Sequence, residues 1–234
     1  MLAGRSRAGV HPFLVEVTGV AGAGKTTLTR LLCQGDPACR RADFIHARRP
    51  EHLTYFAHSL PRVLPIVGGS LSGARINWAG FKLLVYVTEW HRFLSRRSEG
   101  YGCAVLDQGP IYALVRLKAE AKGARGASFE RWWNEMIEFW ATELDVIVWL
   151  DAQDHVVRDR INTRVQRHTT KGRSPDVVQR FTIRYRHLFE EVLDRVANLN
   201  GARILHFDTG ETNGDRIAAH IRPLLTAGRD RDGD

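Results

Sequence analysis

Apolar runs of strand length alternate along this chain with longer segments whose apolar residues recur every three or four positions. A short continuous apolar run is typical of a strand buried on both faces, and the longer spacing is typical of a helix with one buried face. Strands that alternate with helices predict an α/β fold, in which two layers of helices cover a parallel sheet. The predicted strands are residues 13–17, 43–47, 103–106, 145–150 and 203–207.

The sequence indicates the ends of some predicted helices more clearly than the ends of others. Ser128 is a candidate N-cap for a helix over residues 129–142, and Pro61 and Pro65 predict a break after a helix that reaches Leu60. The aromatic residues of 129–142 recur at helical spacing, which favours packing in the core or against a partner over stacking on nucleic-acid bases. Another helix is predicted directly after the first strand, and the rest cover residues 77–97, 155–168, 175–197 and 214–225.

The first predicted strand runs directly into a glycine-rich segment, GVAGAGKT at residues 19–26. This segment matches the phosphate-binding pattern GxxxxGK[ST], the P-loop, at every fixed position. Glycines let backbone N–H groups turn inward around phosphate oxygens, and the following helix adds the partial positive charge of its N-terminus. The segment therefore predicts nucleotide binding. Its predicted binding residues are Gly19, Val20, Ala21, Gly22, Ala23, Gly24, Lys25, Thr26 and Thr27.

Three side chains suit the chemistry of a nucleoside triphosphate and its magnesium ion. Lys25 is placed to reach the β- and γ-phosphates, and the Thr26 hydroxyl is placed to bind Mg²⁺. Asp107 ends an apolar strand, where it can hold the metal or accept a proton from a nucleophilic hydroxyl. A structural role in the turn before Pro110 is the alternative for Asp107. For Asp151, which precedes a helix, we expect a structural role.

A basic helix and a polar loop follow the fourth predicted strand. Arg160, Arg164 and Arg167 lie three or four residues apart, so a continuous helix would place them on one face. The next residues, 169–174, contain no apolar anchor. We therefore predict a lid over residues 158–174, in which Arg160 and Arg164 stabilise a transferring phosphoryl group. A solvated basic surface is the alternative interpretation.

Composition narrows the class of protein. The chain has 234 residues, of which 44% are hydrophobic and 26% charged, and this suits one globular domain. We expect that domain at residues 12–226, with disordered segments at 1–11 and 227–234. The three cysteines form no CxxC pair, which argues against a disulfide framework.

The net charge and the hydropathy of the chain indicate which partners the protein binds and where in the cell it is expected. The formal net charge of +8 suits phosphate handling, and the aromatic residues do not interleave with the basic runs as they would on a nucleic-acid surface. No apolar run reaches the roughly 18 residues of a membrane span, and the N-terminal residues lack the apolar core of a signal peptide. We therefore expect a cytoplasmic protein without a nucleic-acid or membrane partner, and a homodimer is left open.

These motifs together resemble the P-loop nucleoside and nucleotide kinases, and among them the thymidylate-kinase-like group. The resemblance covers residues 13–225, and the P-loop is its sharp match. It implies a three-layer P-loop fold with strand order 2-3-1-4-5, with ATP and Mg²⁺ as cofactors. It also implies that Arg160 and Arg164 correspond to the R-x-x-x-R of the family's lid, and that residues 208–212 form the turn that packs on adenine.

The chain departs from the family where the acceptor binds. The family's REP loop reads Arg48-Arg49-Pro50 here, and its Asp-Arg pair is replaced by a polar set that includes Glu89 and Arg92. Asp107 is followed by glutamine and not by the arginine of deoxynucleoside kinases. The resemblance therefore implies an ATP-dependent kinase with a different small-molecule acceptor: a nucleotide, a nucleoside, or a sugar-like or antibiotic-like metabolite. The candidate acceptor residues are Arg48, Arg49, Glu89 and Arg92.

A protein of another class remains the alternative. A regulatory P-loop NTPase, or an interaction protein that depends on a nucleotide, would carry the same phosphate-binding loop. The chain contains no NKxD motif for guanine, and no DxxG switch motif follows a predicted strand, since Asp107-Gln108-Gly109 is one residue short. Both absences favour the kinase.

Overall fold

A computed structural model describes residues 12–42, 53–69, 78–97, 102–120, 126–165 and 168–230 of the chain. Outside these ranges lie the candidate residues Arg48, Arg49 and Arg167, the strand expected at residues 43–47 and the N-terminal residues 1–11.

The described strands form one parallel sheet in the predicted order, β2-β3-β1-β4-β5. In register, Val17 is the partner of Asp107 and Gly19 is the partner of Leu150. The P-loop and Asp107 therefore leave the sheet at the same carboxyl edge, where α/β proteins bind ligands. The strands are β1 (Phe13–Gly19), β2 (Cys39–Ala42), β3 (Cys103–Asp107), β4 (Val146–Asp151) and β5 (Arg203–Asp208).

Helices cover the sheet and complete the predicted three-layer α/β arrangement. The helices are α1 (Lys25–Cys33), α2 (Leu53–Gly69), α3 (Trp78–Arg97), α4 (Pro110–Ala119), α5 (Ala127–Glu143), α6 (Asp154–Thr163), α7 (Pro175–Asn198) and α8 (Gly214–Asp230). α1 packs against α8, and α4 packs against β1 and among α3, α5 and α7. In the described part of the chain, no helix is both long and apolar enough to cross a lipid bilayer.

The aromatic residues of α5 lie in the core, as their helical spacing predicts. Trp133 and Trp140 are fully buried, and each indole N–H donates to a backbone carbonyl. Trp133 donates to the oxygen of Leu114 at 3.2 Å, and Trp140 donates to that of Val87 at 3.0 Å. These bonds remove the cost of burying an indole N–H and join α5 to α3 and α4.

β2 covers residues that the sequence did not predict as a strand, and the strand expected at 43–47 lies outside the described residues. β2 contains two arginines, one of them exposed, and such an edge strand resembles a loop in sequence. One helix prediction was wrong. α2 continues through Pro61 and Pro65, where a break was expected. Both prolines are exposed, so water can satisfy the carbonyls that lose an N–H partner, while the buried Val63 and Ile66 hold the helix in place.

The basic helix α6 is shorter than predicted. It ends at Thr163, and Arg164 follows with extended backbone angles (φ −70°, ψ 148°). Arg160 and Arg164 therefore do not share a helical face, and the expectation of a continuous arginine face is wrong. Both side chains still line the same cleft.

Three further helix boundaries differ from the prediction. α4 was not predicted, although Pro110 at its first position is a common helix start. α5 is capped by Gly126, and Ser128 lies inside its first turn. α8 continues past Leu225 to Asp230, and the buried Gly228 packs closely on the ring of Phe13.

Candidate active site

Backbone geometry shapes the P-loop between β1 and α1. Gly19 has a φ of +135°, and a Cβ at this position would overlap the carbonyl oxygen of Leu150. Gly24, at the N-cap of α1, has a φ of +89°. Within the described residues no side chain caps α1, so its first N–H groups are available to an anion. The loop thus has the features of a phosphate cradle.

Lys25, the first residue of α1, lies at the base of this loop. Its ammonium group donates to the carbonyl oxygens of Gly19 at 2.9 Å and Val20 at 2.7 Å, and the residue is 5% exposed. Burial lowers its pKa to about 8; the charge of Asp107 acts in the opposite direction, and the charge of Arg164 adds to the lowering. A cation with so little contact with water interacts strongly with a phosphate that enters the loop.

A cleft of about 810 Å³ opens above the P-loop. One wall is the P-loop and the start of α1, a second comes from α6 and the residues after it, and the third is the turn from β5 to α8. Residues 209–214 form that turn, and Arg160, Arg164 and His168 contribute from the second wall. The volume and the mixed lining suit a nucleotide.

Asp107 ends β3 and is 6% exposed. Its Oδ2 accepts a hydrogen bond from Nη2 of Arg41 at 3.0 Å, whereas its Oδ1 is buried and has no hydrogen-bond partner among the described residues. A buried carboxylate oxygen in this state is stabilised by a cation or a water molecule. Thr26 lines the cleft, whereas Asp107 is not among the residues that line it. Hydroxyl and carboxylate oxygens are the ligand types that Mg²⁺ prefers.

Arg160 connects three parts of the cleft. Its Nη1 donates to Oγ1 of Thr209 at 2.8 Å and to the carbonyl of Gly22 at 3.4 Å, and its Nη2 donates to the carbonyl of Thr209 at 2.8 Å. The guanidinium group thereby ties α6 to the P-loop and to the β5–α8 turn. Arg160 has a positioning role in addition to any contact it makes with phosphate.

Arg164 lies just beyond the end of α6, beside Lys25. Its positive charge contributes to lowering the pKa of Lys25 and, after burial, the pKa of His168. The loop that follows has a polar anchor that its sequence does not indicate. Thr170 is 4% exposed and bonds to Nδ1 of His168 at 2.7 Å, and that imidazole packs edge-on against Phe181.

A buried carboxylate lies beneath the turn from β3 to α4. Glu16 is fully buried in β1 and accepts the N–H groups of Ile111 at 2.9 Å and Tyr112 at 2.8 Å. Gly109 permits this approach, because a Cβ there would lie 2.5 Å from Oε2 of Glu16. Burial raises the pKa of Glu16 to about 7, although the two N–H groups lower it. Glu16 therefore fixes α4 and the Tyr112 ring, which lies 5.4 Å from Nζ of Lys25.

Asp151 has the structural role that the sequence indicates. Its Oδ2 accepts a hydrogen bond from Nε of Arg186 at 2.7 Å. The same guanidinium group also binds Oδ1 of Asp154 at 2.7 Å and the carbonyl of Ala152 at 2.6 Å. This network joins the end of β4 and the start of α6 to α7.

Glu89 and Arg92 lie together on α3. Glu89 is fully buried, and its Oε2 accepts a hydrogen bond from Nη1 of Arg92 at 3.3 Å. Its Oε1 is buried without a hydrogen-bond partner among the described residues. Burial raises the pKa of Glu89, and the charges of Arg92, His58 and Arg62 oppose that rise. Arg48 and Arg49, the other candidate acceptor residues, lie outside the described ranges.

Sequence reasoning missed several residues of this region. Glu16 had a usable signal, because a charged residue inside the apolar run FLVEV must find a buried partner. Arg41 had no such signal in the sequence, since no motif or spacing near it indicates a contact with Asp107. Tyr112 and His168 lacked a signal for the same reason: their neighbours in the cleft are distant in sequence.

Solved structures with a similar fold include two kinases. A deoxyadenosine kinase from M. mycoides, with bound dATP, has a TM-score of 0.56 and 13% identity, over 91% of this chain and 99% of that chain. A thymidylate kinase from Candida albicans has a TM-score of 0.56 and 13% identity, over 96% of this chain and 94% of that chain. No family model and no curated protein matches the sequence. The chain is therefore similar in fold to P-loop nucleoside and nucleotide kinases.

Proposed function

We propose that this protein, whose fold is that of the P-loop nucleotide kinases, is an ATP- and Mg²⁺-dependent kinase. It transfers the γ-phosphoryl group of ATP to a small-molecule acceptor. The observation that carries the proposal is the position of Lys25: a buried cation at the base of a P-loop, opening into a cleft that Arg160 and Arg164 also line. Phosphoryl transfer depends on positioned positive charge, and this cleft concentrates it.

On the donor side, residues 19–27 bind the phosphates of ATP. Thr26 and Asp107 hold the magnesium ion, which neutralises charge on the phosphate oxygens when it is bound. Lys25 orients the β- and γ-phosphates, and Arg160 and Arg164 stabilise the charge of the transferring group. The segment 158–174 acts as a lid that excludes water during transfer.

On the acceptor side, Glu89 is assigned because its Oε1 is buried without a hydrogen-bond partner among the described residues, and Arg92 binds the other oxygen. Neither residue lines the cleft above the P-loop, so an acceptor reaches Glu89 only after the surrounding side chains move. Arg48 and Arg49 complete the proposed acceptor site. Asp107 can also serve as the base that takes the proton from the attacking hydroxyl.

The proposal is tested by measuring ADP release from ATP with and without a panel of acceptors. The panel begins with deoxyadenosine and thymidine monophosphate, a nucleoside and a nucleotide suggested by the names of the two similar kinases. Sugars and aminoglycosides follow. One acceptor should stimulate turnover, and mass spectrometry should find it heavier by one phosphate group.

The matched control is the Lys25→Ala protein, which should show no stimulation by the same acceptor. ATP hydrolysis that no small molecule changes, but that a protein or a nucleic acid stimulates, would refute the kinase and favour the regulatory NTPase.

A further inference from the structure

The three cysteines, which are scattered in the sequence, meet at the amino edge of the sheet. Cys33 is the last residue of α1, Cys39 is the first of β2, and Cys103 is the first of β3. Cys39 and Cys103 are direct partners in the parallel register of β2 and β3. The cluster lies at the end of α1 opposite to the P-loop.

The three sulfurs form a row with contacts of 3.4 Å. Sγ of Cys39 lies within hydrogen-bonding distance of Sγ of Cys103 on one side and of Sγ of Cys33 on the other. Cys39 and Cys103 are buried, whereas Cys33 is partly exposed. An oxidant in solution therefore reaches the row at Cys33, and the only sulfur that Cys33 contacts within it is that of Cys39.

Two other interpretations of the row are weaker. Among the described residues, no group of three or more His, Cys, Asp or Glu side chains is arranged to hold a metal ion, and this includes the three sulfurs. Simple core packing would explain Cys39 and Cys103, since buried cysteine behaves as a small apolar residue. Cys33 also packs against the core but is partly exposed, so packing leaves one cysteine of the row open to solvent.

We propose that Cys33 and Cys39 are a thiol-oxidation site, which forms a reversible disulfide with low-molecular-weight disulfides as the oxidant. The five-residue segment between them, residues 34–38, contains Gly35 with a φ of +81° and ends in a tight turn at the start of β2. A short loop with a glycine hinge can adjust to bring two sulfurs from 3.4 Å to the bonded distance of about 2.05 Å.

The chemistry proceeds in two exchange steps. The Cys33 thiol loses its proton, and the thiolate attacks one sulfur of the oxidant RSSR, which gives a mixed disulfide and releases RS⁻. Cys39 then loses its proton and attacks the Cys33 sulfur, which breaks the S–SR bond and releases a second RS⁻. Two protein thiols are oxidised, and one RSSR is reduced to two RSH after each RS⁻ takes up a proton.

The environment of Cys33 predicts how the rate depends on pH. The hydrogen bond with Cys39 and partial burial raise the pKa of the Cys33 thiol above its ordinary value. Because the thiolate is the reacting form, the disulfide should form slowly at neutral pH and faster as the pH rises.

The experiment uses the full-length reduced protein and oxidised glutathione, with remaining thiols then blocked by iodoacetamide. Trypsin releases Cys33 and Cys39 in one peptide, Leu31–Arg40, and Cys103 in another, residues 98–116. We expect the first peptide to carry no alkyl group and to be about 2 Da lighter than the same peptide with two free thiols. Cys103 should be alkylated. The disulfide should raise the melting temperature by about 5 °C, because it closes a loop in the unfolded chain.

The matched variants are Cys103→Ser, which should still form the disulfide, and Cys33→Ser, which should not. The wild-type peptide map needs no variant, so the test holds even if a substitution impairs folding. Full alkylation of all three cysteines after oxidation at alkaline pH would overturn the proposal. So would a stable glutathione adduct on Cys33, or a first disulfide between Cys39 and Cys103.

Discussion

At the scale of single residues, Lys25 is the cation on which the proposed donor site depends. Lys25→Ala should lower phosphoryl transfer by at least about 10²-fold to 10³-fold, because it removes a positioned charge that no neighbour replaces. The fold should survive, since among the described residues the hydrogen bonds of the Lys25 ammonium group go to two carbonyls of the P-loop. Turnover and thermal melting measured on the same protein check this, and near-normal turnover would refute the assignment.

Asp107 can be tested by removing its charge without changing its size. Asp107→Asn should retain ATP binding and lose turnover, because an amide neither holds Mg²⁺ well nor accepts the proton. The matched control is Arg41→Ala, which removes the partner of Oδ2 and leaves the carboxylate in place. Titration calorimetry with ATP measures the loss of binding, and kcat measures the loss of turnover, so the two effects are measured separately. An Asn variant that turns over normally but melts early would mean that Asp107 is structural.

Glu16 makes the stability of the protein depend on pH. Its folded pKa of about 7 exceeds the ordinary value of 4.5, so between these values the folded state holds a proton that the unfolded state has lost. The contribution of Glu16 to the free energy of unfolding is therefore greatest below pH 4.5. It falls by on the order of 3 kcal/mol as the pH rises through 7. Glu16→Gln should remove this dependence.

Urea unfolding between about pH 5 and 8 measures the effect. The control is Glu138→Gln on the exposed face of α5, which should leave the pH dependence of the wild type unchanged. If the Glu16→Gln protein keeps the full decline in stability with pH, another group causes it.

At the scale of elements, the end of α6 and the residue that follows it place two arginines for which we propose different tasks. Arg164→Ala should lower kcat by about 10³-fold and leave KM for ATP almost unchanged, because this side chain is proposed to act on the transferring group. Arg160→Ala should lower kcat and also raise KM for ATP, because it releases the β5–α8 turn from the P-loop. Steady-state kinetics distinguish the two. If Arg164→Ala and Arg160→Ala changed kcat by the same factor and also changed KM by the same factor, the two arginines would not have different roles.

Element boundaries show where local pattern reasoning succeeds and fails. The apolar runs locate β1, β3, β4 and β5 to within two residues, because a buried parallel strand has few polar positions. The pattern fails at β2, an edge strand, and at Pro61 and Pro65, whose cost depends on whether their side of the helix is exposed. The end of α6 at Thr163 was also not predictable from charge spacing alone.

At the scale of the whole molecule, ATP should stabilise the fold. The P-loop, the residues after α6 and the β5–α8 turn border one cleft, so a nucleotide that binds there contacts three separate segments. ATP and Mg²⁺ at 100 times the dissociation constant should add about 2.7 kcal/mol to the free energy of unfolding. Thermal melting with and without ATP measures this. Lys25→Ala is the control, and an equal shift in that variant would mean that ATP binds elsewhere.

The sequence by itself determined the fold class, the strand order through the family resemblance, and the position of the phosphate-binding loop. Each of these depends on local information: apolar periodicity within a few residues, or a motif of eight consecutive positions. Such signals are readable without knowing which segments meet.

Only the tertiary structure decided which distant side chains meet. Arg41 reaches Asp107 across 66 positions, the N–H of Ile111 reaches Glu16 across 95, and the thiols of Cys39 and Cys103 meet across 64. These contacts arise because the crossover connections of a parallel sheet bring strand starts together at one edge and strand ends together at the other. The local sequence pattern does not reveal these contacts. Each of the residues, taken alone, could equally well occupy an ordinary exposed or buried position.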